Sequence, residues 1–476
     1  MQNRFGSKYR WYLLLSIMIG TMASIMSSTV VNVAIPDMSH NFLLGTGRTQ
    51  WVTSGFMIAM TVSMLTTPWL LSKYGYRRTY VFSMALLLLG GVAGGLSNSF
   101  ELVLVARVTE GLAAGVVQPI PAIIIIRAFD HREQGRASGI FGMGVVLAPA
   151  IGPSIGGILV DAFGWRSIFF MVVPFCIISI WLAFRYVPIS AAGGVAANSN
   201  RNSLDWRGLM LGCIGTLCLI NGLLEMHEGT LFAGSILLLG VLLSLIVFVG
   251  WQHRLAKTNR EPLMNLALFS NRQFVMGSIV AFIYGSALFG STFLFPLYIQ
   301  IGLGMSATSV GAILLPAGLI LAISIAFAGR LVDRYPIYLL VSLGIALLSL
   351  SFATLLIVTT NSSIWLVVAL AILGRIGLGF ILPSLNLGAL RLIEPYLISQ
   401  GASVINFVRM LGGAIGVSVC SIILDWRLAA HNEILTLSPI ISPARLAAFN
   451  ESFAILAIVC AFALIAAWNL RETQNS

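Results

Sequence analysis

The stretch APAIGPSIGGILVDAFGWRSIFF, residues 148–170, decides how the rest of the chain is read. From Ala148 to Val160 it carries no charge. Ala148, Gly152 and Gly156 recur every four residues, so they form one stripe along a helix. A stripe of small residues lets a second helix approach closely, which matters most in lipid, where apolar side chains gain nothing by leaving solvent. Pro149 and Pro153 each remove a backbone donor, a loss that membrane helices tolerate when neighbouring helices surround them. With the residues that precede it, this segment belongs to an apolar run at 137–160, and roughly 20 such residues cross the hydrocarbon core as a helix.

Thirteen similar runs lie on either side. They fall near 11–36, 50–72, 79–97, 102–126 and 167–187, then 206–226 and 230–252, then 274–300, 307–329, 337–358, 363–388, 400–424 and 449–470. The first is too long for the apolar core of a cleavable signal and is expected to be a retained span. Charged residues make up 9% of the 476 and apolar ones 58%. Soluble domains carry about a quarter charged residues. A water-soluble chain of this length would lack the polar cover its surface demands.

The formal charge of +11 would suggest nucleic acid only if the basic residues shared one surface of a soluble domain. They alternate with the spans instead. With the N-terminus in the cytoplasm, 20 of the 27 lysines and arginines fall in inside segments, among them Arg4, Lys73, Arg127, Arg254 and Arg330. Outside lie only Arg48, Arg166, Arg427 and Arg445. This is the positive-inside pattern, so the basic residues orient the chain and no nucleic-acid partner is expected. Both termini are expected in the cytoplasm and the chain in a bacterial inner membrane, with the lipid bilayer as its surroundings.

The fold expected is all-α and integral to the membrane, with 14 transmembrane helices. Residues 1–190 form an N-terminal six-helix bundle, 191–255 a linker and an inserted helix pair, and 256–476 a C-terminal six-helix bundle. The repeat shows in the turns: PWLLSKYGYRR (68–78) and GRLVDRYP (329–336) each follow the second span of their half. Arg107 in the fourth span of the first half has a counterpart in Arg375 in the fourth span of the second. Duplicated halves around a midplane site are a transporter architecture.

At this point the residues resemble a known family. Over essentially its whole length the chain resembles the fourteen-span drug:proton antiporters of the major facilitator superfamily, the EmrB/QacA type. The segment 148–170 resembles their fifth-span antiporter motif and the WR-x-x-F after it. STVVNVAIP (28–36) resembles the first-span signature, and SVGAILLPAG (309–318) and GASVINFVRMLGGAIGV (401–417) resemble signatures of the second half. The resemblance implies gating by Pro149, Gly152, Pro153, Gly156 and Gly157, with packing alone as the alternative. It also implies a cytoplasmic turn motif at Gly75, Arg77 and Arg78, repeated at Asp333 and Arg334. Pro68 and Ser72 stand where that motif has glycine and aspartate, so a carboxylate latch is not expected in the first half.

Four ionisable residues lie well inside spans: Arg107, Glu110, Arg375 and Arg409. Such groups are costly in hydrocarbon and usually functional. Arg107 and Glu110 are three apart, on one helical face, and able to pair. RVTEG (107–111) resembles the family's RxxQG with glutamate in place of glutamine. Ser27 stands where the first-span signature carries an acidic residue. Glu110 is therefore expected to have taken over proton coupling with Arg107, the alternative being a permanent ion pair.

The cavity is expected to involve Met22, Met26, Ser27, Asn32, Phe289, Phe293, Arg375, Asn406 and Arg409. Soft methionine and aromatic linings repack around unlike molecules. Arg375 and Arg409 either bond helix carbonyls or meet an anionic group on the substrate. The function expected is secondary efflux of amphipathic drugs or other small molecules in exchange for protons, by alternating access. A dedicated exporter of one metabolite or siderophore is the alternative, and a non-transporting membrane receptor the alternative of another class. No catalytic or metal-spaced cluster appears, so neither an enzyme, a cofactor nor a metal is expected. The chain is expected to act as a monomer, with a periplasmic adaptor protein as the partner left open. Cys176, Cys213, Cys218, Cys420 and Cys460 all fall in apolar runs and read as small buried hydrophobes.

Overall fold

The structure is a computed structural model describing residues 8–44, 46–49, 51–189, 203–227, 231–258, 262–433 and 442–471. Among these residues the regular structure is helical throughout. The polar linker at 191–203 lies, but for Ser203, outside the described residues, as do Arg4, Arg201 and Arg260.

The first six long helices are α1 (Tyr9–Asn41), α2 (Trp51–Tyr74), α3 (Tyr76–Gly95), α4 (Phe100–Ala128), α5 (Gln134–Phe163) and α6 (Ser167–Tyr186). Next come α7 (Trp206–His227) and α8 (Leu231–Lys257). The remaining six are α9 (Arg272–Gly302), α10 (Ala307–Val332), α11 (Ile337–Ile357), α12 (Ile364–Leu390), α13 (Pro395–Ala430) and α14 (Pro443–Trp468). Thirteen helices among the described residues are long and apolar enough to cross a membrane. The fifth apolar run, 137–160, falls on the 30-residue α5, which is not one of those thirteen. Several helices outrun the apolar runs that announced them, α13 most of all, because a helix continues past the hydrocarbon wherever its backbone can still bond to itself.

Two of the turns depend on glycine. Gly75 ends α2 at φ 80° and Gly164 ends α5 at φ 78°, backbone angles that cost a residue with a Cβ. Both sit where the sequence turns from one apolar run to the next, YGYRR and FGWRS. Serine and asparagine start later helices: Ser99, Ser306, Ser363 and Asn271 each accept from a backbone N–H of the first turn.

The contacts divide the chain into two compact units. The first comprises Met1–Cys213, Val247–Leu266 and Glu394–Phe407, the second Ile214–Ile246, Ala267–Ile393 and Val408–Ser476. In the first unit, α1 packs on α5 and α6, α2 on α4, and α3 on α4 and α6. Its core includes Val30, Val52, Val103, Ala148 and Phe169. In the second unit, α12 packs on α10 and α11, α14 on α11, and α9 on α12 and α14. Phe295, Tyr298, Phe352, Phe449 and Phe453 form an aromatic knot there, with ring centroids 5.0–6.5 Å apart.

Helices α7 and α8 bury only 11% and 17% of their most apolar stretch, against 78% for α2. Leaving Leu242, Leu243, Ile246 and Val249 uncovered is affordable only in a solvent as apolar as they are. Asp205 pins the base of this pair. It accepts from Trp251 Nε1 at 2.9 Å, from Gln252 Nε2 at 2.8 Å and from the Gly208 N–H at 2.9 Å.

Candidate functional site

Glu110 and Arg107 meet in the middle of the first unit. Ser99 caps the start of α4, and the next turns bring both residues onto one face, 1% and 0% exposed for Arg107 and Glu110. Arg107 Nη1 donates to Glu110 Oε2 at 2.5 Å and to Ser27 Oγ at 2.8 Å. Ser27 in turn donates to Glu110 Oε2 at 3.2 Å. The two departures read in the sequence, glutamate gained on α4 and an acid lost on α1, are thus in contact. The guanidinium of Arg107 thus has a carboxylate on its own helix and a hydroxyl on α1 as partners.

The rest of the guanidinium is held by α2. Arg107 Nε donates to the Val52 carbonyl at 3.3 Å, and its charged carbon lies 4.3 Å from the centroid of the Phe56 ring. Cation–π contact of this kind strengthens as water is removed. Two polar atoms of the pair nevertheless remain unpartnered among the described residues: Arg107 Nη2 and Glu110 Oε1. A bidentate pair would satisfy both. Ser27 occupies one corner and leaves the carboxylate with both its bonds on a single oxygen.

Glycines make room for this arrangement. A Cβ at Gly90 would fall 2.6 Å from Glu110 Cγ, and one at Gly115 only 2.1 Å from the Met60 carbonyl oxygen. Gly111 is similarly placed, 2.4 Å from the Phe56 carbonyl. Helix α4 therefore lies directly on the backbone of α2. The sequence reading missed Phe56, Val52 and Gly90. Of these only the pair Gly90–Gly91, inside an apolar run, carried a visible signal of close approach.

The stripe on α5 faces α1. A Cβ added at Gly152 would meet Val30 Cγ2 at 3.0 Å, and one at Gly156 would meet Val30 Cγ1 at 2.6 Å. Gly157 looks toward Val33 at an ordinary 3.9 Å. Pro149 and Pro153 both lie within the continuous helix α5, and Pro149 is half-buried. Gly156→Ala is expected to destabilise the protein by about 1–3 kcal/mol through overpacking, and Val30→Ala should recover much of that loss. Thermal unfolding of the single and double variants in detergent measures it; additive losses would mean that the two helices do not touch here.

The remaining expected site residues are distributed over both units, each taken in its own. Met26 is 4% exposed and belongs to the core of the first unit, with the half-buried Met22 packed against that core. On α1 both methionines therefore have helix-packing contacts within the first unit. Asn32 is exposed and accepts from Thr53 Oγ1 at 3.0 Å. At the turn after α2, Arg77 Nε donates to the Val187 carbonyl at 2.7 Å, tying α3 to the end of α6, while Arg78 is exposed. Asn406 is buried, with its Nδ2 donating to the Ala402 carbonyl at 2.8 Å.

In the second unit, Phe289 lies against Gly413, and Phe293 is half-buried. Phe295 and Tyr298, which share that crowded stretch of α9, turn into the aromatic knot instead. Asp333 caps the end of α10 and Arg334 is exposed. Arg375 and Arg409 are both half-buried, and both are charged neighbours of Tyr284.

Long apolar helices packed around buried polar groups define a multi-pass helical membrane protein. The chain belongs to the Major Facilitator Superfamily, whose family model matches residues 17–417. It is similar to the riboflavin transporter RibZ of Clostridioides difficile (strain 630), 25% identical over 98% of this chain and 99% of that protein. It is also similar to multidrug resistance protein 3 of Bacillus subtilis (strain 168), 26% identical over 86% of this chain and 78% of that one. Among solved structures it resembles the proton:xylose symporter XylE bound to 6-bromo-6-deoxy-D-glucose, with a TM-score of 0.66 and 12% identity over 97% and 96% of the two chains. That likeness shows the fold. The chain is a membrane transporter of this superfamily, whose members are generally not enzymes.

Proposed function

We propose that the chain is a secondary efflux transporter that exports amphipathic small molecules in exchange for protons, by alternating access, in a bacterial inner membrane. Fourteen spans, with α5 as the fourteenth, put both termini in the cytoplasm and keep the basic turns on one side. The chain works as a monomer on a small-molecule substrate, with protons as the second ligand. Similarity to multidrug resistance protein 3 supports the efflux reading.

The single observation that carries proton coupling is the buried cluster of Arg107, Glu110 and Ser27, with Glu110 Oε1 unpartnered. A proton arriving on Oε1 cancels the charge that holds Arg107. An uncompensated guanidinium buried to 1% exposure is costly, so protonation must be accompanied by a change in what surrounds it. That is how a proton biases one conformation over another. The stripe on α5 against Val30 supplies a close, apolar contact that lets α1 and α5 move together, and Gly75 with Arg77 fixes the turn from α2 to α3 against the end of α6.

The test is transport in inverted vesicles. An imposed proton gradient should drive uptake of an amphipathic dye, and collapse of the gradient with an ionophore should abolish it. Uptake indifferent to the ionophore would remove protons from the mechanism. Similarity to the riboflavin transporter favours a second reading, a carrier dedicated to one metabolite. A panel of unrelated substrates separates the two, since only the broad exporter transports several.

A further inference from the structure

Three helix ends of the first unit meet at residues 186–188, where α6 stops. The Tyr9 hydroxyl, at the start of α1, donates to the Tyr186 carbonyl at 2.6 Å. One turn on, the Tyr12 ring stacks on the Tyr186 ring with centroids 5.3 Å apart. At the start of α3 the Arg77 N–H donates to the Pro188 carbonyl at 3.2 Å, beside the bond from its side chain to Val187. Helix α6 packs on both α1 and α3.

Each of these helices carries an exposed basic residue at that end and an exposed aromatic residue one turn deeper. Lys8 stands at the N-cap of α1 and Tyr12 follows it; Arg78 lies in the first turn of α3 and Phe82 follows it. Helix α6 runs the other way, so there Trp181 precedes Arg185. The spacing is four residues every time, about 6 Å along a helix, which puts both members of a pair on one face. Tyr12, Phe82 and Trp181 are 42%, 66% and 60% exposed, and Lys8, Arg78 and Arg185 are exposed with them. The Arg185 guanidinium carbon lies 6.0 Å from the Trp181 ring centroid and 5.9 Å from that of Tyr186. In a bilayer an outward-facing ring sits among acyl chains, and the basic side chain beyond it reaches the headgroups.

This end of the bundle has no carboxylate to spare. Helices α2, α3 and α6 contain no acidic residue, and α1 only Asp37 at its far end. Asp130 and Glu133 both engage Arg10, at 2.7 Å and 2.9 Å. Among the described residues none of Lys8, Arg78 and Arg185 forms an ion pair. We propose that the ends of α1, α3 and α6 together bind an anionic phospholipid. Lys8, Arg78 and Arg185 hold its charged headgroup, while Tyr12, Phe82 and Trp181 lie along its acyl chains. Such a ligand satisfies both members of each pair, whereas a soluble anion satisfies only the basic one. Orienting a chain takes charge alone; Lys257, exposed at the end of α8, carries it with the polar His253 one turn deeper.

Native mass spectrometry of the full-length protein, released from detergent, counts bound lipid directly. It needs no gradient and no transported substrate, so its outcome is independent of efflux and of proton coupling. The probes are phosphatidylglycerol and phosphatidylcholine with the same acyl chains. Phosphatidylglycerol is expected to be retained at least about fivefold more than phosphatidylcholine, the range of one basic residue near an anionic headgroup. Arg185→Gln should remove most of that preference, and Lys257→Gln should leave it unchanged. The double variant Lys8→Gln with Arg78→Gln should lower it as well, and carries the test if Arg185→Gln does not run as monodisperse protein. Glycerol 3-phosphate in excess should not displace the lipid, since it offers nothing to the rings.

Equal retention of the two lipids would overturn the proposal. So would an equal loss of preference in Lys257→Gln, which would make the attraction a property of net charge and not of these three helix ends. Displacement by glycerol 3-phosphate would overturn it too, because the site would then hold a soluble phosphate. An unchanged preference in both the Arg185 variant and the double variant would put the lipid elsewhere on the protein.

Discussion

Glu110→Gln is expected to reduce proton-driven uptake into inverted vesicles to the level of empty vesicles, while the protein still folds and binds substrate. Glutamine keeps an oxygen where Arg107 Nη1 and Ser27 Oγ now donate, at 2.5 Å and 3.2 Å, so the hydrogen bonds survive while the titratable group is lost. Glu110→Ala is a different experiment. It strands a buried guanidinium, a change that costs about 3–5 kcal/mol when one partner of a buried pair is removed, and it should be visible as loss of folded protein. The more discriminating variant moves the charge. Ser27 lies 2.8 Å from Arg107, so Ser27→Asp combined with Glu110→Gln returns a carboxylate to the same guanidinium from the opposite helix. Restored pH-driven uptake in the double variant is the expected result. Full uptake by Glu110→Gln alone would assign the pair a purely structural role.

Gly115→Val should have the largest effect on folding. The Cβ position at Gly115 is 2.1 Å from the Met60 carbonyl oxygen and 2.0 Å from Ser63 Oγ, and the first of these is backbone that cannot rotate away. A branched side chain must push α4 off α2. Overpacking alone typically costs about 1–3 kcal/mol. Here the same displacement also withdraws Arg107 from Phe56 and from the Val52 carbonyl, so the loss should be greater. The expected outcome is little or no monodisperse protein on size-exclusion chromatography in detergent. Gly212→Val, at a position with open space around the added Cβ, should behave as wild type. Normal yield of Gly115→Val would mean that the two helices lie further apart than described.

The architecture was legible because lipid simplifies the problem. Only helices satisfy their own backbone in hydrocarbon, so each apolar run of sufficient length announces an element and its approximate limits. The pairing of Arg107 with Glu110 was legible for the same reason: two charges three residues apart in a span have few other options. Side-chain direction was not. Met22 and Met26 share a face with Met18, and periodicity identifies that face without saying whether it meets a cavity or another helix. The structure turns it toward α5, where Met18 lies against Gly144 and Met26 joins the core. Phe289 and Phe295 are separated in the same way, one on Gly413 and the other in the aromatic knot. Contacts made through backbone, such as Val52 on Arg107 or Gly285 on Arg409, leave no mark in side-chain chemistry at all.

The most direct test measures protons and substrate together. Purified protein is reconstituted into liposomes holding a pH-sensitive dye, with no proton gradient imposed, and substrate is added outside. Exchange predicts that substrate entry carries protons out, so the lumen becomes more alkaline in proportion to the substrate taken up, and Glu110→Gln gives no signal. Saturable substrate entry with the lumenal pH unchanged, or with the lumen turning acid, would contradict the exchange of substrate for protons.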